Sequence, residues 1–479
     1  MHYRDRITFD PNKMSGKAFV RDLGFTVQEV LDYVASGAGE AELIARFPGL
    51  VSEDILACNA FANDRISGIR DITAEHPSAE IWKYLRFFTD KSSTAERIRL
   101  LHGIQPGSQT KNIAKQSQQI AFCIRQAEQY FNASTQVGLP TRPVLLYYGA
   151  VSLSQALILL KNDGTYSLDV RRNDSRHNHH GLELRRGLVE SAARATGPQS
   201  FLEKIECFCH VHNKQLWGHF PLFYRSLAPP VIPLHAEILV ARMGSFLERD
   251  IPTTCADLWT LDSIAQGSLN AWEIFKGLPD LYWSLSELGI TSNLCRGSAK
   301  RQIRHSVAPQ PLNGVDDLAP GFSQAHSPKR VQFQDSFFVD GVTPDQKELL
   351  LAFYREKNPA IKVVDDHGAN IHLSLTLDGP DERSVLTQIG YYPDITEDLA
   401  GRKYYIIQPD GYIPEPAAIL ALLFCFSMLC RYYPDVWMRS IDENVRMAEL
   451  TNVFLNIAYR KFPNLILDQL TLTKHKIHP

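Results

Sequence analysis

The hydrophobic pattern of Gln119–Leu160 predicts two consecutive helices around which the rest of the chain is organised. Apolar and small residues recur at helical spacing into this stretch, at Ile113, Ser117, Ile120, Ile124, Ala127 and Phe131. A second helix is predicted from Pro143 to about Leu160, with Thr141 as its cap and the proline in its first turn. This helix is apolar on nearly every side, so it needs neighbours on all its faces.

The first 66 residues predict a small separate module. Two short strands are expected at Arg6–Asp10 and Lys17–Val20, followed by three helices. Thr26 caps the first helix, Glu40–Phe47 forms the second, and Ser52 caps the third. Three short helices with a hairpin are the outline of a winged helix-turn-helix.

The second half of the chain changes from helical to alternating periodicity. Helices are expected over much of 187–224 and at about Leu234–Leu247, Ser263–Lys276, Pro344–Lys357, Pro416–Arg431 and Glu443–Tyr459. A segment rich in Ser, Pro, Gly and Gln, Arg296–Lys329, predicts a long exposed loop. Alternation predicts strands of a small antiparallel sheet at Val331–Val339, Ile361–Val364, Ile371–Leu377 and Lys403–Ile407.

These elements define a mainly α protein with an N-terminal winged helix-turn-helix, a large helical domain and a small antiparallel β-sheet inserted near the C-terminus. The predicted domains are a winged-helix module at 1–66, a helical core at 67–295, and an exposed loop or linker at 296–329. Residues 330–479 hold the small sheet and the C-terminal helices that complete the helical domain.

Several separated blocks resemble a known bacterial family. The blocks are RQAEQYF and RPVLLYYGAVSLSQALILL in the two central helices, HHGL at His179–Leu182, GLPDLYWSLSELG at Gly277–Gly289, and SMLCRYYPDVW at Ser427–Trp437. Together they resemble the YaaC-like family from about residue 80 to the end. The resemblance implies no particular reaction, because the family has no agreed biochemical activity.

The N-terminal module resembles the small antitoxin-associated winged-helix family. Gly16, Lys17, Arg21, Thr26 and Val27 match the pattern of that family. Ala18 replaces its proline, and Gly24 stands where it usually has a second arginine. The resemblance implies control of activity or assembly, but the lost cation disfavours transcriptional repression, since phosphate contacts supply most non-specific DNA affinity.

Charge is distributed unevenly although the chain carries a net charge of only −3. Residues 1–66 hold seven Lys/Arg against ten Asp/Glu, whereas residues 91–190 hold thirteen against seven. Any positive field therefore belongs to the middle of the chain. The eight cysteines and the lack of an apolar targeting core at the start suit a cytoplasmic protein with free thiols. The longest apolar run, Ala417–Cys430, predicts a buried helix and no membrane span.

Residues 170–186, here called the basic segment, hold the densest candidate chemistry. Arginine binds phosphate, and histidine moves protons near neutral pH. Arg172 and His177 resemble the Arg-x(4–6)-His signature of HEPN-type ribonucleases, which implies charge stabilisation by Arg172 and acid–base catalysis by His177. The predicted nucleic-acid contacts are Arg171, Arg176, His180, Arg185 and Arg186. The alternative is a solvated basic loop in which His180 and Gly181 turn into the next helix.

Other motifs are weaker candidates for a metal site or a catalytic site. Cys207 and Cys209 lack a second ligand pair, and in the expected helix they would point to opposite sides, so buried thiols are favoured over zinc. Glycine-rich phosphate loops, Gly-x-Ser-x-Gly and His-Glu-x-x-His do not occur. Neither a metal nor another cofactor is predicted. Arg431 follows a buried helix, where it could cap carbonyls or reach the basic segment.

Two functions remain open from the sequence. The first is a toxin- or defence-like effector that binds RNA or DNA through the basic segment and cuts RNA as a metal-independent HEPN-like ribonuclease. The second is a non-enzymatic scaffold in which the winged helix docks a protein partner. A homodimer is one expected assembly, since winged-helix modules often dimerise.

Overall fold

The computed structural model divides the chain into two units, Met1–Arg70 and Asp71–Pro479. The structure describes residues 6–8, 19–21, 23–27, 29–30, 40–55, 57–58, 69–105, 107–228, 231–240, 245–254, 264, 267–296, 301–307, 331–339, 343–344, 346–348, 351–352, 362–365, 371–379, 395–406 and 413–478. Residues 308–329 of the predicted loop lie outside the described residues, as do Gly16, Lys17 and Ala18 of the N-terminal pattern.

The N-terminal unit contains a short hairpin and helices around a small core. Strands β1 (Ile7–Thr8) and β2 (Phe19–Val20) pair antiparallel, and helix α1 spans Glu40–Arg46. Thr26 caps its helix as predicted, because its hydroxyl accepts from the Glu29 backbone N–H while Glu29 accepts from the Thr26 N–H. The buried apolar residues are Ile7, Val20, Phe25, Val27, Val30, Leu43, Leu50, Ala57 and Cys58.

The second unit is mainly helical. Strand β3 (Ile69–Thr73) leads to helices α2 (Pro77–Arg86), α3 (Lys91–His102), α4 (Thr110–Ser134), α5 (Arg142–Leu160) and α6 (Leu168–Asn173), strand β4 (Leu182–Leu184), helices α7 (Arg186–Ala192) and α8 (Pro198–Leu202), strands β5 (Glu206–Cys209), β6 (Val211–His212) and β7 (Gln215–Leu216), and helix α9 (His219–Ser226). Strands β8 (Val231–Val240), β9 (Ser245–Thr254) and β10 (Ser268–Asn270) and helices α10 (Ala271–Lys276) and α11 (Tyr282–Glu287) follow.

The remaining elements close the unit. They are strands β11 (Leu294–Arg296), β12 (Arg301–Val307), β13 (Val331–Val339), β14 (Lys362–Asp365), β15 (Ile371–Gly379), β16 (Ile395–Glu397) and β17 (Lys403–Ile406), then helices α12 (Glu415–Tyr432), α13 (Pro434–Asp442) and α14 (Val445–Thr471), and strand β18 (Lys474–His478). Strand β18 pairs with β3.

Helix α5 is the centre of the core, as its all-round apolar pattern predicts. It packs against α4, α9, α12 and α14. Helix α4 buries the predicted face, including Ile113, Ile120, Ile124, Ala127 and Phe131. Gln116 on that face donates from its side-chain amide to the carbonyls of Leu159 and Asn162, which satisfies backbone acceptors at the end of α5.

The sheets differ from the single small antiparallel sheet that the sequence predicts. Six strands run in the order β14-β15-β13-β12-β8-β9, and β12 pairs with β8 in parallel. Strand β17, although predicted for the same sheet, pairs with β11 and β16 in a separate one. The helix predicted at Leu234–Leu247 is wrong, because β8 and β9 occupy this region. Short apolar runs fit either period, and the strands that pair with them decide between the two.

Two helices are long and apolar enough to cross a membrane by composition, α5 and α12. Of the most apolar window in each, 72% and 78% of residues are buried inside the protein. Both helices contribute to the same hydrophobic core. That burial is what a core helix of a soluble protein shows.

Candidate anion-binding site

The basic segment is anchored at both its ends. At its start, Ser167 caps α6, and the Leu168 backbone N–H donates to Gln119 on α4. Lys115 of α4 lies 2.6 Å from the Asp169 carboxylate. Beyond α6 the chain turns at Asp174 and reaches strand β4, which pairs with β5.

The middle of the segment is held by the first turn of α9. The backbone N–H groups of Gly218, His219 and Phe220 donate to the carbonyls of Arg176, His179 and His180, at 2.7, 2.9 and 3.0 Å. Helix N-termini have unpaired N–H groups, and these carbonyls satisfy them. The backbone of residues 176–180 is therefore fixed, unlike that of the solvated loop considered from the sequence.

Two glycines make this docking possible. Gly181 and Gly218 have φ angles of 76° and 103°, in the left-handed region that favours glycine. A Cβ placed on Gly218 would lie 2.1 Å from the Gly181 Cα and 2.5 Å from its backbone nitrogen. The two backbones therefore touch where any side chain would collide.

The predicted pair Arg172 and His177 is not joined by a hydrogen bond within the described residues. The Arg172 side chain is 72% exposed, 3.8 Å from Asp169. His177 is half-buried, burial lowers its pKa, and its Nδ1 has no hydrogen-bond partner in the part of the chain described. Its carbonyl accepts from the Nε of Arg171, at 3.1 Å. Arg171, and not Arg172, is therefore the arginine whose side chain turns towards the protein interior.

The other predicted contacts divide between ion pairs and open surface. Arg176 donates to Asp174, with Nη2 2.8 Å from Oδ2. Arg185 lies 3.0 Å from Glu206. Arg186 is exposed at the start of α7. Intramolecular carboxylates thus compete with any ligand for Arg176 and Arg185.

Arg171, His180 and Arg431, together with Tyr147 and Tyr148, form what we call the arginine–histidine cluster. His180 Nδ1 is hydrogen-bonded to the hydroxyl of buried Tyr147, at 2.8 Å. Arg431 Nη1 donates to the Tyr148 hydroxyl at 2.9 Å, and its Nε donates to the Ser427 carbonyl. Arg431 therefore caps a carbonyl at the end of α12, and it also lies close enough to the basic segment to lower the pKa of His180. The sequence left these two roles open as alternatives.

The electrostatics of this cluster favour a neutral imidazole between two cations. Desolvation, then Arg431, His179 and Arg171 lower the pKa of His180. Burial raises the pKa of Tyr147, so its hydroxyl stays protonated. Neither Arg171 nor Arg431 has a carboxylate within ion-pair distance in the described part of the chain. Two cations with no carboxylate partner among the described residues are an arrangement suited to an anion.

A buried histidine extends the polar cluster inwards. His219 shares a 2.6 Å hydrogen bond between its Nε2 and the Ser154 hydroxyl, and its Nδ1 has no partner among the residues that the structure describes. Burial, followed by Arg171 and His180, lowers its pKa. His219 is 2% exposed, so it supports the cluster from inside and does not reach solvent.

Cys207 and Cys209 lie on strand β5, so the helix expected there is wrong. Both thiols are buried, and β5 pairs with β4 and β10. Among the residues described, no three His, Cys, Asp or Glu side chains are placed to share a metal ion.

The sequence identifies the basic segment and offers Arg431 as a residue that could reach it, but it does not identify the tyrosines. Tyr147 and Tyr148 fit the apolar pattern of a core helix, which hides their hydroxyl groups. Arg171 also fits the Arg-x(4–6)-His spacing with His177, with five residues between them. This spacing is the sequence feature that could have pointed to Arg171, whose side chain turns towards the protein interior.

Comparison with known families matches most of the chain. The family described as YaaC-like Protein matches residues 88–470. A family described as a protein of unknown function, DUF433, matches residues 7–62. Curated proteins and solved structures gave no match.

Proposed function

The chain belongs to the YaaC-like family, and we propose that it binds RNA phosphate groups at the arginine–histidine cluster and cuts RNA there without a metal ion. One observation carries the proposal. Arg171 is bonded to the His177 carbonyl and Arg431 to Tyr148, next to the Tyr147 that holds His180, and neither arginine has a carboxylate partner in the described residues. Phosphate oxygens accept from guanidinium groups in the fork geometry that suits both.

His180 is the proton-moving group in this proposal. In this proposal the proton of the neutral imidazole sits on Nδ1, which donates to the Tyr147 hydroxyl oxygen, so Nε2 has a free lone pair on an exposed residue. As a base, Nε2 takes the proton of a ribose 2′-hydroxyl. The 2′-oxygen then bonds to the adjacent phosphorus while the bond from phosphorus to the 5′-oxygen breaks, and the leaving oxygen takes a proton from water. The products are a 2′,3′-cyclic phosphate and a 5′-hydroxyl.

The arginines supply the electrostatic part of this reaction. Negative charge grows on the non-bridging phosphate oxygens as the 2′-oxygen attacks, and guanidinium groups placed beforehand stabilise it. Arg171 is partly buried, where its charge acts more strongly than it would at an open surface. Arg172 and His177 remain the competing pair, predicted from spacing alone.

Cleavage of a labelled single-stranded RNA in EDTA separates the two pairs. We expect His180→Ala to lower the cleavage rate about 100-fold or more, the usual contribution of general acid–base catalysis, and Arg171→Met to lower it similarly. Arg172→Ala and His177→Ala are expected to change it by less than about tenfold. Lys83→Met, which removes an exposed cation paired with Glu80, is the matched control.

The product ends give a second test. RNA fragments should carry 2′,3′-cyclic phosphates, and DNA of the same sequence should bind without being cut, because it lacks the 2′-hydroxyl. If Arg172→Ala and His177→Ala abolish cleavage while His180→Ala does not, the pair predicted from spacing is the catalytic one. RNA that binds but stays intact refutes the nuclease part.

The N-terminal unit, which resembles antitoxin-associated winged-helix domains, is proposed as the regulator. Arg6 and Arg21 both bind the buried carboxylate of Asp54, whose pKa stays low because their hydrogen bonds outweigh its desolvation. Arg21 also donates to the Gly49 carbonyl. These two arginines are therefore used to hold the unit together, which favours protein docking over DNA reading. If RNA is neither bound nor cut, the chain is better explained as a cytoplasmic scaffold.

A further inference from the structure

A ladder of flat side chains runs through Arg431 to the surface. The rings of Tyr130 and Tyr148 are stacked, with centroids 5.8 Å apart and planes 28° apart. The Arg431 guanidinium lies 5.5 Å from the Tyr148 ring centroid and 5.2 Å from that of Tyr432. Tyr432, the last residue of α12, is 62% exposed.

Tyr432 is exposed at the end of a buried helix. It ends a helix in which nearly every residue from Glu415 to Leu429 is buried. An exposed tyrosine ring costs little conformational entropy when it binds, and it offers both an apolar face and a hydroxyl. Tyr432 therefore presents an exposed ring next to the charge of Arg431, which has no carboxylate partner among the described residues.

We infer that the ligand of the arginine–histidine cluster is an unpaired nucleotide whose base stacks on Tyr432 while its phosphate binds Arg431. The inference rests on the proposed function and names the substrate class as single-stranded nucleic acid. Every base has a π face, so stacking holds single strands with little regard to sequence, whereas a duplex hides its bases. Arg431 contributes to base stacking and to phosphate binding, because its guanidinium lies over the Tyr432 ring and its charge acts on His180.

Affinity for three RNA ligands tests this arrangement with the full chain. The ligands are a short single-stranded RNA, the same strand with abasic sites, and its duplex, all with 2′-O-methyl groups that prevent cleavage, and each is measured by fluorescence anisotropy in EDTA. Tyr432→Ala is expected to weaken binding of the single strand by about 5- to 150-fold, the usual value of one stacked base. Tyr432→Phe keeps the ring and should bind within about threefold of the unaltered protein.

The abasic strand separates stacking from phosphate binding. It should bind the unaltered protein about as weakly as the intact strand binds Tyr432→Ala, and Tyr432→Ala should weaken it no further. The duplex should bind more weakly than the single strand. Phe87→Ala, which removes another exposed aromatic ring, 63% exposed, should leave all affinities unchanged.

The failures of the two proposals can be told apart. If Arg431→Met weakens binding while Tyr432→Ala does not, or if the abasic and duplex ligands bind as well as the single strand, phosphate binding stands and stacking is refuted. If the unaltered protein binds none of the ligands at low salt, both proposals fall. Thermal melting of both Tyr432 variants should match that of the unaltered protein, since the Tyr432 ring is exposed.

Discussion

Gly218→Ala is expected to lower the free energy of unfolding by more than about 4 kcal/mol and to abolish RNA binding. The new Cβ would stand 2.1 Å from the Gly181 Cα, so one backbone must move. Movement of the backbone breaks the hydrogen bonds from the first turn of α9 to the carbonyls of Arg176, His179 and His180. His180 then loses its position beside the two arginines.

Gly187→Ala is the matched control for this variant. Gly187 lies in α7, close by in sequence, and a Cβ there would meet no atom within 4 Å. Alanine favours the helix, so we expect a gain of about 0.4–1 kcal/mol and unchanged binding. Denaturant unfolding and RNA binding of both variants provide the measurement. A Gly218→Ala protein as stable as Gly187→Ala would contradict the close backbone contact.

Lys461→Met is expected to cost about 3–5 kcal/mol, the usual loss when one partner of a buried ion pair is removed. The Lys461 ammonium lies 2.6 Å from the Asp280 carboxylate and 2.5 Å from that of Glu415, and it donates to the Glu397 carbonyl. Lys461 is 7% exposed, so water cannot replace it. The lysine joins α14 to the start of α12, to the turn before α11 and to β16.

The same cluster gives stability a defined pH dependence. Desolvation and Asp280 raise the pKa of Glu415 to about 7, against the opposing effect of Lys461. The folded state therefore keeps a proton that the unfolded state releases near pH 4.5. This contribution is fully present below about pH 4.5 and is lost as the pH rises through about 7. Without Lys461 two carboxylates face each other alone, so the loss should grow with pH.

Urea unfolding at pH 6 and pH 8 measures both effects. Lys83→Met, at an exposed lysine paired with Glu80, should change stability by less than about 0.5 kcal/mol at either pH. The idea of a buried, charged lysine fails if Lys461→Met unfolds at the same urea concentration as Lys83→Met.

Local patterns predicted the central helices well. The helical period around Ile120 and Ile124 and the all-round apolar sequence after Pro143 require burial whatever the partners are, and the structure shows that burial. The capping pairs at Thr26 and Thr343 depend only on residues three apart, and both were predictable.

Long-range pairing was not predictable in the same way. Residues 234–247 carry an apolar run that fits a helix or a strand. In the structure β8 pairs along its whole length with β9, and it joins the six-stranded sheet through β12, some sixty residues later. The site shows the same limit. The sequence singled out Arg172 and counted Arg171 only among several predicted contacts, and Arg431, Tyr147 and Tyr148 join Arg171 only through the packing of α5 against α12.

Calorimetric titration of single-stranded RNA whose 2′-hydroxyls are methylated, so that it binds without being cut, tests the arginine–histidine cluster most directly. The titrated proteins are the unaltered chain, Arg171→Met and Arg431→Met, in EDTA and across a salt series. We expect salt-sensitive binding that each substitution weakens at least about tenfold, with the slope of log K against log salt reduced by about 0.7 for each lost phosphate contact. Three proteins that bind RNA with equal affinity and equal slope, or an unaltered protein that does not bind at low salt, would contradict a phosphate site between these two arginines.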